Sequence, residues 1–152
     1  MKRSAALAIA LAISLFLPAA ETFARGGPRW QGSGGWGPGE SYNRMYDPKS
    51  VENLTGEVTS VEQMTSLRGM SYGIQLMIKT DNETIPVHLG PGWFIENQDV
   101  KIVTGDKVQV KGSRILFDGK PAVIAAELAR GDDVLRLRDE NGFPMWSGWR
   151  RR

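Results

Sequence analysis

The chain has 152 residues, 19 Lys/Arg against 17 Asp/Glu, one histidine and no cysteine. The lack of thiols excludes disulfides, thiolate nucleophiles, Cys-type zinc sites and covalent c-type haem attachment, and the length leaves room for one ordinary domain. Charge is uneven: residues 51–133 hold eight Lys/Arg and twelve Asp/Glu, while residues 134–152 hold five Arg and two acids, so the acidic centre argues against a phosphate-binding groove there.

Residues 1–24 read as a secretory signal peptide, with Lys2 and Arg3, then "AALAIALAISLFLPAA", then "ETFA" with a cut after Ala24. The apolar run is interrupted by Pro18 and is shorter than the ~20 residues that span a bilayer. A retained anchor is the alternative. The expected location is therefore the periplasm or another exported compartment, with no transmembrane segment once the signal is removed.

Residues 25–50 begin "RGGPRWQGSGGWGPGE". So much glycine with so little apolar surface predicts a flexible arm, docked at most by Trp30, Trp36, Tyr42 or Tyr46. From Val51 the apolar period becomes two. "NLTGEVTSVEQM" alternates with a slip before Val61 that predicts a bulge. "YGIQLMIKT" and "TIPVHLG" place Ile74, Leu76, Ile78 and Ile85, Val87, Leu89 on buried faces around the turn "TDNE". Pro86 requires an open side or a bulge.

"PGWFIENQDVKIV" is a short helix or an irregular turn. "GDKVQVKGS" supplies Val108 and Val110, and "RILFDGKPAVIAAEL" is a hairpin whose Asp118-Gly119 suits a type I′ turn. "VLRLRDENGFPMW" alternates Leu135 and Leu137 with Arg136 and Arg138, for which pairing with nearby acids is expected. Five or six strands with one helix between the third and fourth predict a mainly β fold. It is a small five- to six-stranded Greek-key barrel of the OB type over residues 51–142, followed by an aromatic and basic tail, residues 143–152. Another small antiparallel barrel or sandwich is the alternative.

The phrases "GEVTSV", "ETIPVHLGPGWF", "GDKVQVKGS" and "DGKPAVIAAELARGDD" resemble those of exported bacterial OB-fold proteins. More loosely, the chain is similar to the periplasmic haem chaperone of cytochrome c maturation. The resemblance covers about eighty residues and implies a binding or accessory module of the cell envelope. The chaperones carry a haem-attaching histidine just past the last barrel strand; here that stretch is "ARGDD", Ala129 to Asp133, and has none. The fold is implied, and the covalent haem activity is not.

His88 is expected to point away from Ile85, Val87 and Leu89 and to lie exposed beside Gln75 or Met77. Imidazole and thioether together suit copper or a haem axial position, and Met64 and Met70 could add soft ligands. Surface and core roles are the ordinary alternative for all of them. "LGPGW" reads as a sharp strand exit that lets Trp93 and Phe94 cap the barrel, with ligand stacking on Trp93 as the alternative.

An oligonucleotide site on strands two and three would offer Gln75, Met77, Lys79, Thr84 and His88, with Tyr72 as the one nearby aromatic. That is a poor stacking platform. In "FPMWSGWRRR", Trp146, Trp149, Arg150, Arg151 and Arg152 are candidate partner-binding residues, either for an acidic protein or for peripheral contact with a lipid surface. The alternative packs both tryptophans on the barrel. No catalytic residue set is evident: Ser113 or Ser71 would have to meet His88 through the fold.

The reading is an exported, non-enzymatic OB-type adaptor with a protein partner in an envelope or redox assembly and no required cofactor. A haem or copper carrier using His88, and a binder of single-stranded nucleic acid or oligosaccharide, are the alternatives.

Overall fold

A computed structural model describes residues 34–148, apart from 66 and 68. Residues 1–24, with the expected signal peptide, and Trp30, Trp149 and Arg150 to Arg152 lie outside the described residues. Two 3-10 turns, Asn43–Met45 and Pro48–Ser50, lead into six strands among the described residues: β1 (Val51–Met64), β2 (Gly73–Lys79), β3 (Thr84–Pro91), β4 (Lys107–Phe117), β5 (Lys120–Arg130) and β6 (Asp133–Arg136). The one α-helical segment among the described residues, α1 (Gly92–Ile95), is a single turn between β3 and β4.

The strands are ordered β3-β2-β1-β4-β5-β6, and β3 also pairs with β5. That parallel contact, Val87 to Val123 and His88 to Ile124, turns five strands into a ring. This is the closed OB-like order expected from the helix position. Closure relies on two devices. β1 is one long strand whose residues 51–57 pair with β4 and whose residues 57–64 pair with β2, with the predicted bulge between Val58 and Ser60. Along β5, Val123 and Ile124 meet β3, and residues 127–130 meet β6, which takes over where β3 ends.

Local chemistry explains the turns. Asp118 and Gly119 have φ of 51° and 74°, the doubly positive pair that a type I′ hairpin needs. Pro86 lies one residue before the β3–β5 pairing begins, so its missing N–H removes nothing from that ladder. Arg114 of β4 bridges Glu52 of β1 and Glu83 of the β2–β3 turn. The Arg114 hydrogen bond holds the Glu83 carboxyl below its ordinary range. Both pairs are about one-third exposed, so water screens them and they add little to stability.

Val58, Leu76, Ile78, Ile85, Val87, Val108, Val110 and Leu128 fill the barrel, as the period-two pattern requires. A second apolar layer lies outside the barrel, where the docking of Trp36, Tyr42 and Tyr46 and the packing of Trp146 were the alternatives to a flexible arm and a partner-binding tail. Trp36, Tyr42 and Tyr46 are buried, so residues 34–50 form a packed strap and not a flexible arm. Trp146 is 2% exposed, which removes it from the partner-binding candidates and makes it core. Glycines give these rings room: a Cβ on Gly73 would stand 2.5 Å from the Trp36 ring, and one on Gly90 would stand 2.8 Å from Trp146. With a layer on each side, Ala122 to Ala126 of β5 are buried without alternation.

Trp146→Ala is expected to cost ~3–5 kcal/mol of unfolding free energy in urea titrations, whereas Phe143→Ala, at an exposed site, should change it by less than ~0.5 kcal/mol. Equal effects would contradict the core position of Trp146.

Candidate functional site

The second layer covers His88 and Gly90 of β3 and the Gly73 end of β2, on the side where OB domains elsewhere bind ligands, while Gln75, Met77, Lys79 and Thr84 on that side stay half-buried or exposed. Its cover comes from both ends of the described chain. Trp36 donates its indole N–H to Ser71 O at 3.1 Å, and Trp146 donates to Trp36 O at 2.8 Å. Their rings meet edge to face, 6.3 Å apart, and Trp36 meets Tyr42 at 4.7 Å.

His88 sits beneath this cover. Alternation sets it opposite Ile85 and Val87 as expected, yet it is only 2% exposed. The expectation of an exposed histidine was therefore wrong, because strand periodicity cannot see a layer contributed by distant segments. Tyr42 OH and His88 Nδ1 are 2.8 Å apart. The two rings stack at 5.9 Å, and Phe117 stands edge-on to the imidazole at 4.9 Å. Burial, then the nearby Arg138 charge, lower the His88 pKa from 6.5 to about 4. The ring is neutral at pH 7, and one member of the Tyr42–His88 pair donates to the other. Burial likewise pushes the Tyr42 phenol up.

Arg138 is the charged member of the cluster and 5% exposed. The expected acid partner is absent: among the described residues its side chain donates to Gly142 O at 3.0 Å and to Asn43 Oδ1, while its Nε has no acceptor. The guanidinium lies over Tyr46 at 5.5 Å and Trp146 at 5.0 Å, so aromatic faces supply what a carboxylate would have supplied. Desolvation lowers its pKa. Arg136, its neighbour along the strand, is exposed.

The other sequence candidates are scattered. Gln75 is the register partner of His88, but its amide donates to Glu62 at 2.9 Å. Met77 lies opposite Pro86. Met64 is buried at Gly73 beside Trp36, and Met70 packs at Gly35. Trp93 is half-buried beside Phe94, at 6.4 Å, and Phe94 is the buried cap at 5% exposure. No group of three or more His, Cys, Asp or Glu suited to a metal occurs among the described residues.

Residues that the sequence reading did not single out for this site are Phe117 and Arg138. Tyr42 had been named only as a possible dock. The spacing of Tyr42 and Tyr46 was the available signal for a packed face; nothing local marks Arg138 as different from Arg136. A cleft of about 290 Å³ between Gly35, Glu40, Ser41 and Tyr42 on one side and Leu67, Gly69 and Met70 on the other reaches the edge of Tyr42.

Two measurements check this cluster. Tyr42→Phe keeps the ring but strands a buried imidazole nitrogen, and should cost ~1–3 kcal/mol in urea unfolding. The folded His88 pKa lies below its unfolded value, so its contribution is complete above about 6.5 and is lost as pH falls from about 6.5 to 4. It amounts to on the order of 3 kcal/mol. Carboxylates titrate nearby, so the quantity to compare is the stability change from pH 7.5 to pH 4 in the wild type and in His88→Gln. Equal changes would mean that His88 is not the buried neutral group described.

No helix among the described residues is long and apolar enough to cross a membrane. No curated protein matches the chain. The model of the MamS/MamX magnetosome protein family matches residues 50–135, from one residue before β1 to the third residue of β6, which is more than half of the chain. By that match the chain belongs to the MamS/MamX magnetosome protein family.

Proposed function

We propose that this protein is an exported, non-enzymatic adaptor of a magnetosome-associated assembly, with a protein partner on the outside of its barrel. The observation that carries the reading is the aromatic cover over His88, Gly90 and the Gly73 end of β2. Where other OB domains hold a nucleic acid or sugar, this chain holds its own Trp36, Tyr42 and Trp146. A barrel plugged from both ends of its described chain is a rigid body, suited to holding a partner at a fixed position.

Several further observations support the non-enzymatic part. Ser113 and His88 both pair with Ile124, so β5 separates them by two strand spacings, roughly 10 Å. A nucleophile and its base need about 3 Å. The Ser113 hydroxyl is instead within hydrogen-bond reach of the Asp47 N–H, at 3.0 Å, and of Ser50. Copper or haem on His88 would have to reach an imidazole that is 2% exposed and packed against Tyr42 and Phe117.

The most exposed large apolar side chain among the described residues is Leu116, at 71%. It is displayed at the tip of the β4–β5 hairpin, beside the rigid Asp118-Gly119 turn. A leucine carried outward on a stiff hairpin suits insertion into an apolar pocket of a partner, with Asp118 and Lys120 on the rim.

The test is made in the native cell. A photo-crosslinking residue at position 116 should capture a discrete partner in the magnetosome-enriched fraction, whereas one at exposed Thr55 should not. Leu116→Asp should lower co-purification by about tenfold or more, the equivalent of losing one buried leucine. An unchanged partner set, or a protein confined to the cytosol, would remove the adaptor reading.

A further inference from the structure

β1 to β5 each have at least two strand neighbours, whereas β6 pairs with β5 and with no other strand among the described residues. An unpaired strand edge offers a row of backbone donors and acceptors to another strand. Alternation decides which groups are on offer. Leu137 N–H turns to β5, where it donates to Ala126 O at 2.8 Å. Counting back by two, Leu135 and Asp133 also turn their backbone groups to β5, and Val134 and Arg136 turn theirs to the open side. The edge is held at both ends. Arg130 bridges Asp133 at 3.0 Å and Asp106 at 3.1 Å at its start, and Leu137 O accepts from Met145 N–H at 2.9 Å past its end. Little entropy remains to be lost when such an edge docks.

The side chains along this edge are self-complementary. Leu135 is buried, while Val134, at 46%, and Arg136 are exposed on the other face, and exposed Asp132 leads into it from the β5–β6 turn. Arg136 is in register with Glu127 of β5, yet neither Arg136 nor Asp132 forms an ion pair among the described residues. A second β6 can lie antiparallel to the first about a two-fold axis through Val134. The two valines then exchange both backbone hydrogen bonds. Two places away, Asp132 stands opposite Arg136 of the second copy, twice by symmetry. An axis at Asp133 would set that acid against itself, one at Leu135 would set Arg136 against valine, and one at Arg136 would oppose two arginines. Only the axis at Val134 gives both charges their opposites.

We infer that the open edge of β6 pairs with β6 of a second copy of this chain, in a two-fold dimer whose sheet runs from one β5 through both β6 strands to the other β5. The surface is isologous, the same patch serving on both copies. Charged edges ordinarily repel a further strand, but an acid and a base four places apart attract an inverted copy of themselves. Four strand residues a side bury less than the ~800 Å² per partner of a stable interface, so the dimer is reversible and forms where the chain is concentrated. This goes beyond the adaptor reading and does not depend on it. Leu116 lies at the far end of the β4–β5 hairpin from β6, so each copy keeps its hairpin tip free.

The experiment is sedimentation equilibrium on the full chain, as its host processes it, from about 10 µM to about 1 mM, where a contact of this size dissociates. The wild type should show a reversible monomer–dimer equilibrium. Arg136→Asp and Asp132→Arg each turn two opposite-charge contacts into two like-charge ones. Each should weaken self-association by about tenfold or more, with an unchanged unfolding midpoint because both sites are exposed. The chain carrying both changes should recover the wild-type constant, and an equimolar mixture of the two single variants should form the heterodimer. Leu116→Asp should leave the dimer intact, so loss of the hairpin's partner and loss of the dimer are separate results. Three results would overturn the inference: a wild type that stays monomeric throughout, single variants that associate as the wild type does, or a double variant no tighter than the singles.

Discussion

Arg138 carries a full positive charge into a site that is nearly closed to water, and no carboxylate among the described residues meets it there. A bare buried ion would cost several kcal/mol. The charge is tolerated because Tyr46 and Trp146 present their ring faces and because Asn43 and Gly142 accept its N–H groups. These four residues lie on two segments distant in sequence, the strap before β1 and the turn after β6. Holding Arg138 therefore obliges both segments to stay on the barrel. The rest of the second layer follows from that obligation: Trp146 reaches Trp36, Trp36 orders Tyr42, and Tyr42 closes over His88.

This arrangement changes what the single histidine can do. Surrounded by Tyr42 and Phe117 and facing a guanidinium, His88 is held neutral and away from solvent, so it serves the packing of the lid. A ligand reaching His88 would have to displace a cover made of aromatic rings seated over Gly73 and Gly90. The large apolar side chains that stay exposed lie elsewhere, with Leu116 at the β4–β5 hairpin tip the most exposed among the described residues.

The family match runs from residue 50 to residue 135. It contains the ring of strands, His88 and Phe117, and it stops short of Trp36, Tyr42, Tyr46, Arg138 and Trp146. The boundary separates the barrel from its lid. What belongs to this chain outside the matched stretch is the cover over the ligand face and the turn carrying Phe143 and Met145.

The barrel was legible because strand pattern is local. Each of Leu76, Ile78, Ile85, Val87, Val108 and Val110 announces its face through neighbours two residues away, the Asp118-Gly119 turn through its backbone preference, and the β1 bulge through a slip in the alternation. The lid was not legible, because its contacts span the chain: Trp146 meets Trp36 across 110 residues, and Arg138 meets Asn43 across 95. A glycine-rich stretch with two tryptophans reads as an arm until something exists for the rings to sit on, and Arg138 is indistinguishable from Arg136 by composition or period. Sequence alone determined the strands and their turns, and the tertiary structure decided which of the possible strand orders they take. Only the tertiary structure decided which outward faces stay wet, since burial on a strand's second face depends on what the rest of the chain brings to it.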